Sequence, residues 1–252
     1  MSAARAKALA AIERNIAQSG FHIYIVSGGA TPRFAYTIGL RRSLGAELVF
    51  PGALYYDDKD DVLEIVHAVR KQLAKGKLGS MWDSKVTVRG LGSFTFRRAH
   101  SSWTRELLLG ALDYYQIDDV DAYQIVPEAR YRTIDVPDLS AAWSAASEPV
   151  WRWLHDPWDF SVPESAEAMT SLEVLRGACV TEACRFEEDY WEVFAGDGAE
   201  VPKAEARLVP LATIIAADPS LARVVDLKVG AGVYRDDAKS DWQHWTRGRT
   251  SE

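Results

Sequence analysis

The stretch Phe34–Leu40, FAYTIGL, constrains the N-terminal half of the chain more strongly than any other. Large side chains at every second position alternate with small or polar ones, which is the period of a half-buried β-strand. Aromatic, Thr and Ile residues also fit a pleated surface. The sequence therefore predicts a strand here, with Gly39 at a bulge or at a close approach of backbone.

A turn precedes this strand, and an apolar run precedes the turn. Gly28–Pro32 carries the turn residues, and Pro32 stands where a strand can begin without losing a hydrogen-bond donor. The sequence therefore predicts a β-hairpin that pairs Phe21–Ser27 with Arg33–Leu40.

The rest of the first half alternates helical and strand patterns. Acidic residues cluster before an apolar helical stripe and basic residues follow it, as the helix dipole favours. By these rules we expect helices at 2–19, 57–74 and 101–115, strands at 47–50 and 123–126, and a hairpin over 85–97.

The second half is predicted to be rich in strands. We expect strands at 172–179, 190–194, 207–209, 230–235 and 242–245, with helical segments at 211–217 and 220–225. Repeated Pro residues and four tryptophans mark a connecting segment. The predicted organisation is an α+β domain with a mixed, mainly antiparallel sheet and flanking helices at 1–135, a Trp/Pro-rich segment at 136–167, and a smaller β-rich α+β domain at 168–252.

Charge is divided unevenly along the chain. Residues 1–150 hold 18 Lys and Arg against 17 Asp and Glu, which leaves 11 against 19 of the chain's 29 and 36 for residues 151–252. The net charge of −7 therefore arises in the second half. Such a field repels nucleic acid and attracts basic partners.

Composition and motifs favour a soluble cytoplasmic protein. No apolar run reaches transmembrane length, and Cys179 and Cys184 are too few for a disulfide framework. We find no phosphate-binding loop, nucleophile elbow or zinc-ligand spacing, so no catalytic residue, metal or cofactor is predicted. Asp118, Asp119 and Asp121 are interpreted as an acidic loop rather than a cation site.

Several short motifs in the first half resemble the bacterial family called domain of unknown function 4262. They are FAYTIGL at 34–40, ELVFPG at 47–52, and YQIVP at 123–127. The resemblance covers residues 12–128 and implies a fold. It implies no activity, because the family has none agreed.

The C-terminal part is similar to the immunity-protein 33-like family, also called domain of unknown function 2185. The motifs are DYWE and FAGD between 189 and 197, RLVPL at 207–211 and ADPSL at 217–221. The resemblance implies a non-enzymatic protein that neutralises a toxin in the cell that makes it. A toxin inhibitor needs an acidic, aromatic-rich binding face more than a nucleophile.

Three hypotheses of function stay open. The first is an immunity or antitoxin-type protein that binds a basic protein effector through seven residues: Glu187, Glu188, Asp189, Tyr190, Trp191, Asp197 and Trp242. The second is an enzyme or small-ligand-binding protein with a pocket at the FAYTIGL strand, formed by Tyr36, Thr37, Arg41, Arg42, Glu47 and Gln124. The third is an adaptor that uses Trp143, Trp151, Trp153 and Trp158. The sequence does not indicate an oligomeric state.

Overall fold

Twelve strands in two six-stranded sheets form the framework of the protein, and helices flank the first sheet. The computed structural model describes residues 3–56, 58–76 and 81–245, and those residues carry these strands and seven α-helices. The fold is α+β, with mixed and mostly antiparallel sheets and a β-rich C-terminal part, as predicted.

The described chain divides into two compact units. The first consists of Met1–Ser27, Arg33–Arg132 and Val136–Glu148, and the second of Gly28–Pro32, Thr133–Asp135 and Pro149–Glu252. Residues 136–148 of the predicted connecting segment thus belong to the first unit, and residues 149–167 to the second.

The first unit contains one mixed sheet. Its elements in chain order are α1 (Ala3–Ser19), β1 (His22–Val26), β2 (Phe34–Ile38), α2 (Arg41–Leu44), β3 (Glu47–Pro51), α3 (Lys59–Leu73), β4 (Val86–Val88), β5 (Gly92–Arg98), α4 (Ser101–Leu107), α5 (Leu109–Tyr115) and β6 (Ala122–Pro127). The strand order is β1-β2-β3-β6-β5-β4, and only β3 and β6 pair in parallel. The predicted hairpin of β1 and β2 is confirmed, with Tyr24 opposite Tyr36.

Helix α3 packs its apolar stripe on this sheet. Val62, Ile65, Val66, Val69 and Leu73 are buried against strand residues that include Leu48, Phe50 and Ile125. The Asp58 side chain caps the helix by accepting from the N–H of Asp60. The helix was predicted over 57–74, of which Asp57 lies outside the described residues. Ser2, the first residue of the helix predicted over 2–19, also lies outside them.

One predicted helix is in fact two. The sequence favoured a continuous helix from 101 to 115 with Ser101 or Ser102 as its cap, whereas Leu108 interrupts it with a ψ of 34°. The cap is His100, whose ring nitrogen accepts from the N–H of Ser102 at 3.1 Å. Leu108 itself is no helix breaker, and the one local signal was Gly110, two residues further on in the second helix.

The second unit contains the second sheet. Its elements are β7 (Glu167–Ser171), α6 (Leu172–Leu175), β8 (Glu182–Arg185), β9 (Tyr190–Phe194), β10 (Ala206–Pro210), α7 (Leu211–Ala217), β11 (Gly232–Tyr234) and β12 (Gln243–His244). The strand order is β10-β7-β9-β8-β11-β12, and β7 and β9 pair in parallel. The predicted strand at 172–179 is wrong, because the strand ends at Ser171, whose hydroxyl accepts from the N–H of Val174 and starts a short helix.

Candidate functional site

Five donors converge on the carboxylate of Glu47, which is wholly buried at the start of β3. The hydroxyl of Thr37 donates to Oε2 at 2.6 Å, and the phenol of Tyr115 donates to Oε1 at 2.6 Å. The other three donors are the backbone N–H groups of Gly39, Leu40 and Arg41, at 3.1, 3.3 and 3.0 Å. A carboxylate accepts hydrogen bonds at both oxygens, so it fits a site made of donors.

The local fold explains this convergence. The φ of Gly39 is 114°, and it turns the chain from β2 into α2, where the first amides of a helix lack partners of their own. A side chain at Gly39 would press on Ile16 and on the backbone of Phe21, so the predicted close approach is confirmed. Burial and the adjacent Glu47 raise the pKa of the Tyr115 phenol well above its usual range, so the phenol remains a donor at neutral pH.

The side chains of Tyr36 and Gln124 also form hydrogen bonds to other groups of the protein. The Tyr36 hydroxyl accepts from the N–H of Gly110 at 3.0 Å, its ring stacks on that of Tyr24 at 5.5 Å, and burial raises its pKa to about 12. The Gln124 amide donates to the carbonyl of Pro137 at 2.7 Å and accepts from the N–H of Leu139 at 3.1 Å. Both side chains therefore fasten elements of the first unit together.

The six residues of the expected ligand pocket divide into a buried group and an exposed group. Tyr36, Thr37, Glu47 and Gln124 are at most 3% exposed and bonded to protein groups, whereas Arg41 and Arg42 are exposed. The three cavities identified among the described residues are lined by other side chains. The structure brings Thr37 and Glu47 together as part of the core.

The largest of these cavities, a cleft of about 640 Å³ in the first unit, carries balanced charge. Arg98 pairs there with Asp121, and Arg97 pairs with Asp138 at 3.0 Å. Asp119 accepts from the Thr104 hydroxyl at 2.8 Å. The described residues contain no group of three side chains able to hold a metal ion.

A buried arginine organises one end of the second unit. Arg235, 4% exposed, donates to the Val180 carbonyl at 2.7 Å, to Ser220 Oγ at 2.9 Å and to the Asp218 carboxylate. Its guanidinium also lies 4.3 Å from the centre of the Trp242 ring. Arg235, Asp218 and Val180 line a cavity of about 390 Å³. Each nitrogen of the guanidinium donates to a protein group.

The two faces of the second sheet differ in burial, and the face that carries Trp191 is the covered face. Trp191 is wholly buried, its indole N–H donates to the Val224 carbonyl at 3.3 Å, and the Arg185 guanidinium lies 4.9 Å from its ring centre. Strand register places Ala168, Ala183 and Val193 on this covered face.

The opposite face, which we call the open face, presents acidic and apolar side chains to solvent. Its carboxylates are Glu167, Glu182 and Glu192, which register places beside Tyr190, Phe194 and Cys184. Its exposed apolar side chains are Leu208 (42% exposed), Phe186 (57%), Tyr234 (37%) and Trp245 (47%), and Tyr190 on the same face is partly buried. Trp245 packs over Gly232, where any side chain would collide with its ring.

Like charges crowd the open face. Burial and the Asp197 carboxylate raise the pKa of Glu182, and burial and Glu192 raise the pKa of the Cys184 thiol. Burial, Glu192, Glu187 and Glu167 together raise the pKa of Tyr190. Within the part of the chain that the structure describes, none of these carboxylates forms an ion pair.

The seven residues expected to bind a partner fall into three groups. Glu187, Glu188, Asp189 and Asp197 are exposed, and the first three form the turn between β8 and β9. Tyr190 and Trp242 are partly buried, and the Trp242 indole donates to Ser220 Oγ at 3.2 Å. Trp191 is a core residue and is not available to a partner in this structure, which corrects its prediction as an anchor.

Sequence reasoning missed most of the open face. Strand β8 was not predicted, so Glu182, Cys184 and Phe186 had no assigned face, and Glu167 was placed in a connecting segment. The available signal was the alternation within Tyr190–Phe194, which shows that Tyr190 and Glu192 share the face opposite to Trp191.

Comparison with known proteins identifies part of the first unit. Residues 15–131 match the family model described as Domain of unknown function (DUF4262), so this region is a domain of that type, as the motifs predicted. No curated protein and no solved structure matches the chain. The similarity of the C-terminal part to the immunity-protein 33-like family has no support in these comparisons.

Proposed function

We propose that the protein is a binding protein whose second unit recognises a basic protein through the open face. The observation that carries this proposal is the juxtaposition of unpaired carboxylates with exposed aromatic rings on one sheet surface. Aromatic side chains are the usual anchors of protein interfaces, and complementary charge speeds and directs association.

Charge complementarity selects the class of partner. Glu167, Glu182 and Glu192 stand on the open face, and Glu187, Glu188 and Asp189 extend the acidic surface at its edge. Burial and the neighbouring Asp197 carboxylate raise the pKa of Glu182, and a partner rich in Lys and Arg would relieve the second of these effects. A nucleic acid would add negative charge to this surface and is disfavoured.

A narrower form of the proposal is neutralisation of a basic toxin in the bacterial cytoplasm. The acidic turn at 187–189 and the two free thiols are compatible with that role. A ligand pocket at the FAYTIGL strand is the weaker alternative, because the side chains there are buried and bonded to other protein groups. The adaptor is weaker for the same reason, because side chains among its four tryptophans are also buried or bonded within the protein. Among those tryptophans, Trp151 is wholly buried and Trp153 donates its indole N–H to the Ala212 carbonyl at 3.2 Å.

Affinity capture with three matched baits tests the proposal. The baits are the wild-type chain, Glu167→Lys/Glu192→Lys on the open face, and Glu173→Lys/Glu205→Lys at exposed positions outside it. The two variants change the net charge equally. We expect one basic protein to be retained by the wild type and the control, and to be lost with the open-face variant and as salt is raised above about 0.3 M. Equal retention by both variants would contradict the proposal.

A further inference from the structure

Tyr190 occupies a special position on the open face, since three carboxylates surround it. Glu167 is its register partner on the adjacent parallel strand β7, about 4.8 Å away across the sheet. Glu192 follows two residues later on the same face of β9. Glu187 stands across the turn, where its N–H donates to the Tyr190 carbonyl at 3.1 Å.

A second aromatic ring completes this group. The Phe186 ring lies 6.1 Å from that of Tyr190 at an interplanar angle of 87°, and Phe186 is 57% exposed. The Tyr190 side chain is only partly buried, and its ring contact on the open face is with the exposed Phe186.

We infer that Tyr190, Phe186 and the carboxylates of Glu167, Glu187 and Glu192 form a receptor for one arginine side chain of the partner. The inference rests on the proposed function and names the group that the open face recognises. An aromatic ring attracts a cation through its negative π-face, and carboxylates at its edge add charge-assisted hydrogen bonds.

The geometry favours arginine over lysine. A guanidinium is planar, stacks on aromatic rings and donates in a fixed fork that can bridge two carboxylates. The carboxylates lie on two adjacent strands and a turn, so they present acceptors on different sides of the ring. An ammonium group is a compact, strongly hydrated charge that gains less from the ring.

Arg185 immediately precedes Phe186 in the chain. Its guanidinium lies over the Trp191 ring on the covered face and donates to the Leu227 carbonyl at 2.9 Å, and it also donates to the carbonyls of Glu187, at 3.3 Å, and Glu188 in the turn. The contacts of this cation are thus with backbone carbonyls and the Trp191 ring.

Two peptide probes of equal charge, hexa-arginine and hexa-lysine, test the inference with the full chain. We expect the wild type to bind hexa-arginine more tightly, and Tyr190→Leu to weaken that binding about tenfold while changing hexa-lysine binding much less. Tyr190→Phe keeps the ring and should keep the preference. A thermal melt confirms that each variant is folded.

The outcomes separate this inference from the proposed function. If neither peptide binds the wild type, if the two bind equally, or if Tyr190→Leu retains the preference for arginine, the receptor does not exist. If Glu167→Lys/Glu192→Lys still abolishes capture of a basic protein in those cases, the proposed function stands without the receptor.

Discussion

The phenol of Tyr115 in α5 and the carboxylate of Glu47 in β3 are joined by a 2.6 Å hydrogen bond inside the first unit. The same carboxylate accepts from Thr37 and from three backbone amides. Glu47 therefore links two strands and two helices, which explains why an acidic residue is buried in this strand.

Replacing Glu47 by Gln should destabilise the protein severely. The amide brings two N–H donors into a site built from donors, so several buried groups lose their acceptor, at a cost on the order of 3 kcal/mol in the free energy of unfolding. Tyr115→Phe removes one donor and should cost about 1 kcal/mol. Urea titration measures both, and an unchanged midpoint for Glu47→Gln would show that the network is not structural.

Trp191 and Phe186 should respond to substitution in opposite ways. Trp191→Ala empties a fully buried site and should cost about 3–5 kcal/mol of stability. Phe186→Ser changes an exposed side chain, so it should leave the melting temperature nearly unchanged and weaken partner binding. A Phe186→Ser protein with full binding and a Trp191→Ala protein with a wild-type melting temperature would reverse the assignment of the two faces.

Glu182 should make stability depend on pH in a defined direction. Its pKa is raised from 4.5 in the folded state, so the folded protein binds more protons than the unfolded chain above that pH. Stability therefore falls as pH rises from 4.5 through the raised value. We expect Glu182→Gln to melt at a higher temperature than wild type at neutral pH, and the difference to vanish below about pH 4.

Glu205→Gln provides the control for this comparison, because Glu205 is exposed and lies outside the open face. An equal gain in melting temperature from both substitutions would attribute the effect to net charge rather than to the neighbourhood of Glu182 and Asp197.

Cys184 should report occupation of the open face. Its thiol is partly buried on that face, and its raised pKa predicts slow reaction with iodoacetamide at neutral pH that accelerates as pH rises. A bound basic partner should slow the reaction further, while Cys179, which lines the cavity at Arg235, serves as the internal reference. Peptide mass spectrometry measures both thiols in one sample. Equal protection of the two would place the partner elsewhere or indicate a general effect.

Local patterns predicted the secondary structure more fully than the site. Alternation and turn residues identified β1, β2, β3 and the β4–β5 hairpin, because each is specified by neighbouring residues. The break at Leu108 and the end of β7 at Ser171 depend on tertiary packing and capping, so the sequence placed them incorrectly.

The sites were harder to predict because they depend on which face of a strand is covered. The alternation of Tyr190–Phe194 shows that Tyr190 and Trp191 point in opposite directions, but the direction of the core becomes known only when the segment containing Val224 packs on Trp191. Glu47 illustrates the same limit, since four of its five donors lie six to ten residues away and the fifth, Tyr115, is 68 residues away.

The affinity of the captured basic protein for three forms of the chain tests the central claim most directly. Calorimetry should give a dissociation constant at least about tenfold weaker for Glu167→Lys/Glu192→Lys than for wild type, and a nearly unchanged one for Glu173→Lys/Glu205→Lys. If the two variants weaken binding equally, the partner responds only to net charge and the open face is not its binding site.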